Sequence, residues 1–332
     1  MRRFAFLMFT MIVSAIPLAI SGCARTENQD NQKPRFAFIV NIPTDRFWDI
    51  AYAGCLQAAQ EEDVIVEFHA PGESTAAQQK QILETLMSRG IDGVAISPLN
   101  PDSLGRFLLR IGEQFPVICQ DSDAPESGRV CYIGTDNVAH GRMMGNLMKE
   151  ALPEGGQVAL FVGQLDVANA RERQQGVLEV LAGSNITVVD TYTDRGEPAN
   201  AKSVVTDVLS KHPDLKGCLG LWGYNAPQAV NALRDFPARI VKVVGSDESL
   251  ETMRAIRDGK QYASVAQTPY HFGYQSIKIL ARVHRGENVD IPQDKMIFTE
   301  SFEIRSDNLE EVEADIAAKL KLKEKLEDRY GK

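Results

Sequence analysis

Eight residues of this chain fall where an α/β protein places its chemistry. Asp45, Phe47 and Trp48 follow the apolar run RFAFIVNI (35–42), Asp121 follows PVICQ (116–120), Arg171 follows QVALFV (157–162), Asn225 follows GCLGLW (217–222), Asp247 follows IVKVVG (240–245), and Gln267 ends YASVAQ (262–267). In open α/β sheets ligands bind beyond the carboxyl ends of the strands, where loops present polar groups and helix N-termini. These residue types form one chemical set. Flat aromatic rings offer faces to the C–H side of a pyranose or furanose, while Asp, Asn, Arg and Gln grip neighbouring hydroxyls with paired hydrogen bonds. Asp121 and Asp247 could instead cap the helices that follow them, and Phe47 and Trp48 could belong to the core. Capping alone does not account for aspartates, an arginine, an asparagine and a glutamine at matching strand ends.

Catalysis finds no comparable pattern. There is no phosphate-binding loop, no G-x-G-x-x-G after the first strand and no G-x-S-x-G elbow. The histidines, at 69, 140, 212, 271 and 284, lack ligand spacing, so His140 and His271 read as ordinary helix residues and no metal or cofactor is expected. Asp121 and Asp247 could in principle pair for glycoside hydrolysis, but nothing around them signals a raised pKa. A net charge of −9 over 332 residues, without a basic cluster, argues against nucleic acid, because phosphate binding needs a positive surface.

The elements that must position these residues are legible as short Val-, Ile- and Phe-rich runs alternating with amphipathic stretches of helical length, the pattern of repeated βα units around parallel sheets. Besides the runs above, strands are expected at 64–69, 93–97, 130–134 and 186–191. Their near-continuous hydrophobicity implies burial on both faces. In TAAQQKQILETLMSRG, Ile82, Leu83, Leu86 and Met87 line one face and Gly90 supplies the stop, while Pro101 after Asn100 marks the next helix start. Ten strands suit two helix-covered sheets better than one. Residues 307–332 are highly charged, with Leu309, Val312, Ile316 and Leu320 at helical spacing, and predict an appended, loosely docked helix.

Residues 1–23 stand apart. Arg2 and Arg3 precede an apolar run from Phe4 to Ile20, and Ile20-Ser21-Gly22-Cys23 follows, an ending that resembles a bacterial lipobox with Cys23 as the lipidated residue. Residues 24–34 are polar and without periodicity, and read as a tether. Export permits disulfides, yet Cys119, Cys131 and Cys218 sit in apolar runs and read as buried free thiols, with a Cys119–Cys131 bridge left open.

From about Arg35 to Arg305 the chain resembles the periplasmic binding proteins of the ribose-binding type. The resemblance is carried by Phe47-Trp48 after the opening strand, IGTDN (133–137), ARERQQG (170–176), VVGSD (243–247) and VAQTPY (265–270). It implies the type I periplasmic binding protein fold: two Rossmann-like α/β lobes with parallel sheets, joined by a three-crossing hinge near Asp136, Gln267 and Thr299. The first lobe is expected at 35–136 plus 268–298 and the second at 137–267 plus 299–306. Asp45, Phe47, Trp48 and Asp121 then contact the ligand from the first lobe, and Arg171, Asn225, Asp247 and Gln267 from the second lobe and hinge. The chain departs from the ribose-binding pattern at Asp45, where asparagine is usual, at Ser122, where arginine follows the aspartate, and at Thr193 or Asp194, where an aromatic closes the second lobe.

The implied function is the extracytoplasmic substrate-binding component of an ABC-type importer, binding a monosaccharide or related polyol by hinge closure. It acts as a monomer, meets an ABC permease in the membrane, and is held there by lipid on Cys23. The alternatives are presentation of ligand to a sensor kinase or chemoreceptor, and binding of a non-sugar solute. A lactose-repressor-type regulator shares the two-lobed core but needs a DNA-reading headpiece, and the apolar leader and tether occupy that place.

Overall fold

The computed structural model describes residues 33–41, 46–165 and 167–332. Cys23 and Asp45 lie outside the described residues, as does the leader. From Pro34 onward the chain forms one compact unit.

The first half runs β1 (Arg35–Ile39), α1 (Arg46–Glu62), β2 (Ile65–His69), α2 (Ala76–Arg89), β3 (Gly93–Ile96), α3 (Pro101–Ile111), β4 (Val117–Gln120) and β5 (Tyr132–Thr135). The second half repeats the sequence of elements: α4 (Asn137–Ala151), β6 (Gly156–Val162), α5 (Ala168–Leu181), β7 (Ile186–Thr193), α6 (Pro198–Lys211), β8 (Leu215–Gly220), α7 (Asn225–Leu233), β9 (Lys242–Ser246), α8 (Leu250–Arg257) and β10 (Ala263–Ala266). The chain then returns through α9 (Pro269–His284) and β11 (Met296–Thr299) before β12 (Phe302–Ile304) and α10 (Leu309–Tyr330).

Among the described residues there are two six-stranded sheets of matching order, β11-β5-β4-β3-β1-β2 and β12-β10-β9-β8-β6-β7. All pairings are parallel except β10 with β12. The chain therefore passes between sheets after β5, after β10 and between β11 and β12. The sequence reading missed β11 and β12, which are short and only partly buried.

Local chemistry sets the helix ends as expected. The Thr75 side chain caps α2 at Gln78 N, Gly90 ends it with φ 78°, and the Asn100 side chain caps α3 at Ser103 N ahead of Pro101. Each sheet is sandwiched. Phe36, Phe38 and Ile118 pack with Leu56, Phe272 and Leu280 on one face of the first sheet, and Ile39, Val94 and Ile96 pack with Leu83 and Leu108 on the other. Cys119 belongs to the second of these clusters and Cys131 to the first, so the two thiols point to opposite faces of the sheet. Both are free and buried, as are Cys55 and Cys218.

Two helix pairs approach through glycine. A Cβ on Gly54 of α1 would lie 2.0 Å from Tyr270 O, and one on Gly273 of α9 would lie 1.9 Å from Ala51 O. In the second half a Cβ on Gly141 of α4 would meet Arg173 O, and one on Gly176 of α5 would meet Val138 O, both at 2.1 Å.

The C-terminal helix is not loosely docked. Leu309, Val312 and Ile316 are buried with Met253, Ile256, Ala266 and Ile304, and Leu326 and Tyr330 enter the core of the first sheet. Beyond α10, Gly331 bridges Val66 in parallel and Lys332 exchanges backbone hydrogen bonds with Val66 and Phe68 at the β2 edge.

Gly176→Ala must push α5 off α4, so a loss of about 1–3 kcal/mol in urea unfolding is expected, the usual cost of overpacking. Unchanged stability would remove the close approach as the reason for glycine there.

Candidate functional site

The two sheets bring their carboxyl ends together, and each ends its fourth strand in the same device. Asp121 follows β4 with φ 59°, and Asp247 follows β9 with φ 62°. Left-handed backbone is uncommon for a residue with a Cβ, and aspartate is among the few that adopt it. Both are held in it by the neighbouring strand. Asp121 N donates to Ile133 O (3.0 Å) and Asp247 N to Val265 O (2.8 Å). Their carbonyls accept in turn from Tyr132 Oη and Ser264 Oγ, each at 2.8 Å.

Of the first carboxylate, Oδ2 accepts from Ser97 Oγ (2.7 Å), Asn41 Nδ2 (3.2 Å) and Ser122 Oγ (3.3 Å). Of the second, Oδ1 accepts from Gln267 Nε2 (2.8 Å), whose Oε1 accepts from Thr135 Oγ1 (2.8 Å) across the crossing strands. Each carboxylate thus has one oxygen fixed by the protein.

The Arg173 charge acts on both. Arg173 is 3 % exposed, and α5 holds it by Nε donating to Asn137 Oδ1 (3.0 Å) and Nη1 donating to Leu221 O (2.9 Å) and Ser246 Oγ (3.0 Å). Burial raises both aspartates above the ordinary carboxylate range. The Ser97 hydrogen bond and then the Arg173 charge pull Asp121 back down, and Arg173 followed by the Gln267 hydrogen bond does so for Asp247.

Ser246 Oγ continues the network to His140 Nε2 (2.8 Å), and His140 Nδ1 reaches Ser301 Oγ (3.1 Å) between β11 and β12. Ser246 Oγ thus accepts from arginine on one side and shares a hydrogen bond with the imidazole on the other. Burial, reinforced by the Arg173 charge, drives the His140 pKa well below its usual value. Of the surface and packing roles expected for this helix histidine, His140 takes the packing one, fully buried beside Ser246 and Ser301.

A second wall forms after β7 and β8. Asn225 accepts from Trp222 N on Oδ1 (3.1 Å) and donates from Nδ2 to Asp194 Oδ2 (3.1 Å). Asp194 Oδ1 also accepts from Tyr224 Oη (2.9 Å) and Gly196 N (3.0 Å), and burial raises its pKa. Trp222 donates Nε1 to Asn169 Oδ1 (3.1 Å) and meets Tyr224 edge to face at 6.3 Å. A Cβ on Gly223 between them would lie 3.2 Å from the Asp247 carboxylate, so this aromatic turn abuts the second aspartate.

Of the eight residues singled out in the sequence, the structure brings Asp121, Asp247 and Gln267 into one cluster, with Asn225 in the adjoining wall. Asp45 is outside the described residues. Phe47 is half-buried and edge-on to Trp48 (4.9 Å), and Trp48 is 3 % exposed within the first-sheet core against Phe38. Arg171 lies on the exposed side of α5, where Nη1 donates to Leu165 O (3.2 Å), and the buried arginine whose charge acts on the carboxylates is Arg173. Residues two apart on a helix point in nearly opposite directions. Arg173 falls on the buried stripe Ala170, Val177 and Leu181, a periodicity that distinguishes it from Arg171 in the sequence itself. Ser97 and Ser246 were missed although one ends and the other directly follows a predicted strand, being overshadowed by the aspartates beside them, and Asn137 and His140 were missed because they lie on α4 and only the fold brings them to the strand ends.

Comparison with known proteins gives a consistent answer. The model of the periplasmic binding protein domain matches residues 36–288. The ribose import binding protein RbsB of Salmonella typhimurium is 27 % identical over 282 residues, covering 84 % of this chain and 93 % of its own length. The D-allose-binding periplasmic protein of Escherichia coli is 27 % identical over 78 % of this chain and 87 % of its own. Among solved structures, an ABC transporter solute-binding protein from Burkholderia graminis in complex with D-arabinose is 32 % identical, covers 83 % of this chain and 96 % of its own, and superposes with a TM-score of 0.77. GanP, a glucose-galactose binding protein from Geobacillus stearothermophilus, is 26 % identical over 84 % of this chain and 99 % of its own, also with a TM-score of 0.77. The two-sheet topology, the strand-end site and these likenesses together establish that the chain belongs to the periplasmic binding protein domain family, as a ribose-binding-type solute-binding protein with the type I fold.

Proposed function

We propose that this protein captures a monosaccharide or related polyol between two lobes, 35–136 with 268–298 and 137–267 with 299–306, and delivers it to an ABC-type permease. The observation that carries this reading is Arg173, buried and acting by its charge on two aspartates that hold equivalent places in the two sheets. A vicinal diol donates to a carboxylate and accepts from a guanidinium at once, so one ring of hydroxyls satisfies all three groups. The aromatic turn at Trp222 and Tyr224 supplies a second-lobe wall where Asp194 stands in place of an aromatic residue. Ligand that touches both aspartates is bound fully only when the lobes are together, and that differential affinity shifts the population toward closure.

The relatives include an import binding protein for ribose and a structure holding D-arabinose, which supports a permease as partner over a sensor kinase or chemoreceptor. Lipid on Cys23 would keep a monomeric protein beside that permease. With Cys23→Ser, the protein is expected to move from the membrane fraction to the soluble fraction, and retention at the membrane would refute the anchor.

A calorimetric titration with D-ribose, D-arabinose, D-allose, D-xylose and D-galactose tests the ligand class. At least one is expected to bind, and Arg173→Ala to weaken it by about 2–5 kcal/mol, the usual cost of stripping one partner from buried charged hydrogen bonds. Arg171→Ala is expected to change affinity by less than about threefold, as for a surface substitution. A flat response to every sugar sinks the carbohydrate reading, and equal losses in the two variants sink the role given to Arg173.

His140 makes stability depend on pH in a defined direction. The unfolded chain protonates this imidazole as pH falls through about 6.5, while the folded protein holds it neutral, so its contribution is full above that pH and lost on acidification. Melting temperatures taken from about pH 7.5 to 5.5 are expected to fall less steeply in His140→Gln than in the parent. Parallel curves would mean that His140 takes up its proton in the folded state.

A further inference from the structure

The C-terminal helix lies beyond the matched family domain, and its two ends are fixed to different lobes. At its start Leu309, Val312 and Ile316 are buried against Met253 and Ile256 of α8, Ala266 of β10 and Ile304 of β12, and Glu313 pairs with Arg257 (2.5 Å). All of these partners belong to the second lobe, and Ile50 of α1, from the first lobe, joins the same cluster. At its end Leu326 and Tyr330 are buried in the first-lobe core with Leu322 packed against it, Lys323 Nζ lies 2.8 Å from Asp49 Oδ1 of α1, and the last residues pair with β2. The middle runs over the crossing itself: Lys319 Nζ sits 5.4 Å from the centre of the Tyr270 ring, three residues after Gln267, where the chain passes back to the first lobe.

A continuous helix rises about 1.5 Å per residue, so the anchors at Leu309 and Leu326 stand roughly 25 Å apart at fixed separation. Rotation of one lobe away from the other must bend this rod or pull one end out of its apolar seat. We infer that α10 is a splint across the hinge that restrains opening and keeps the unliganded protein near the closed arrangement. Its effect on binding rests on the hinge-closure reading above. Its effect on shape does not.

Inserting Gly-Gly-Ser-Gly between Leu320 and Lys321 leaves both anchors seated and breaks only the continuity between them. Small-angle X-ray scattering without sugar is expected to give a larger radius of gyration for the insertion variant than for the parent. The affinity for whichever of D-ribose, D-arabinose or D-allose binds the parent is expected to weaken about three- to tenfold, as the binding-competent fraction falls. Equal radii of gyration overturn the splint. If the radii differ but no sugar binds either protein, the splint stands and the ligand reading fails. If circular dichroism shows the insertion variant unfolded, Leu326→Ala combined with Lys323→Ala loosens the first-lobe seat instead, and the same comparison of radii decides.

Discussion

A buried positive charge needs partners, and the Arg173 guanidinium sets the terms for the second half of this molecule. Moving an unpaired ion out of water costs several kcal/mol even after relaxation, so every group around Arg173 is arranged to repay that cost. Asn137, the Leu221 carbonyl and Ser246 take its hydrogens from within the second lobe. Asp247 from the same lobe and Asp121 from the opposite one supply the countercharge. A guanidinium close to two carboxylates is a setting in which a hydroxyl group can donate to one charge and accept from the other.

Precision at that point is inherited from backbone packing. Gly141 and Gly176 let α4 and α5 touch with no side chain between them, and these helices carry Asn137, His140 and Arg173. Gly54 and Gly273 do the same for α1 and α9 under the first sheet. The repeated strand order extends the correspondence to the site, where Asp121 and Asp247 share a backbone conformation, a donor contact to the next strand and an acceptor contact from a hydroxyl on it. One device thus occurs twice, once at the end of β4 and once at the end of β9.

How much of this was legible in the sequence follows from how local each signal is. Most of the ten apolar runs were readable because strands buried on both faces are hydrophobic throughout, while the edge strand β7, whose run implied the same burial, is only partly buried. MIFT and FEI at β11 and β12 were not, being short and half-exposed, with their place fixed only by pairing to β5 and β10. Asp121, Asp247, Asn225 and Gln267 could be found because they directly follow or end strands. Arg173 was misplaced by two residues when motif resemblance outweighed helical phase. The seating of α10 was invisible, since its apolar stripe says only that something covers it, and the partners Met253, Ile256 and Ile304 are distant in the chain.

The four buried thiols carry a consequence for biogenesis. Disulfide exchange proceeds through the thiolate, and burial lifts Cys119, Cys131 and Cys218 to about 12, with Cys55 well above its ordinary value. At neutral pH these thiols are held almost wholly protonated, which slows their exchange chemistry in the folded protein. The newly exported chain has no such shelter. Its exposure to mispaired disulfides ends only when the sheets close over these residues, which makes folding speed, more than redox poise, the quantity that protects it.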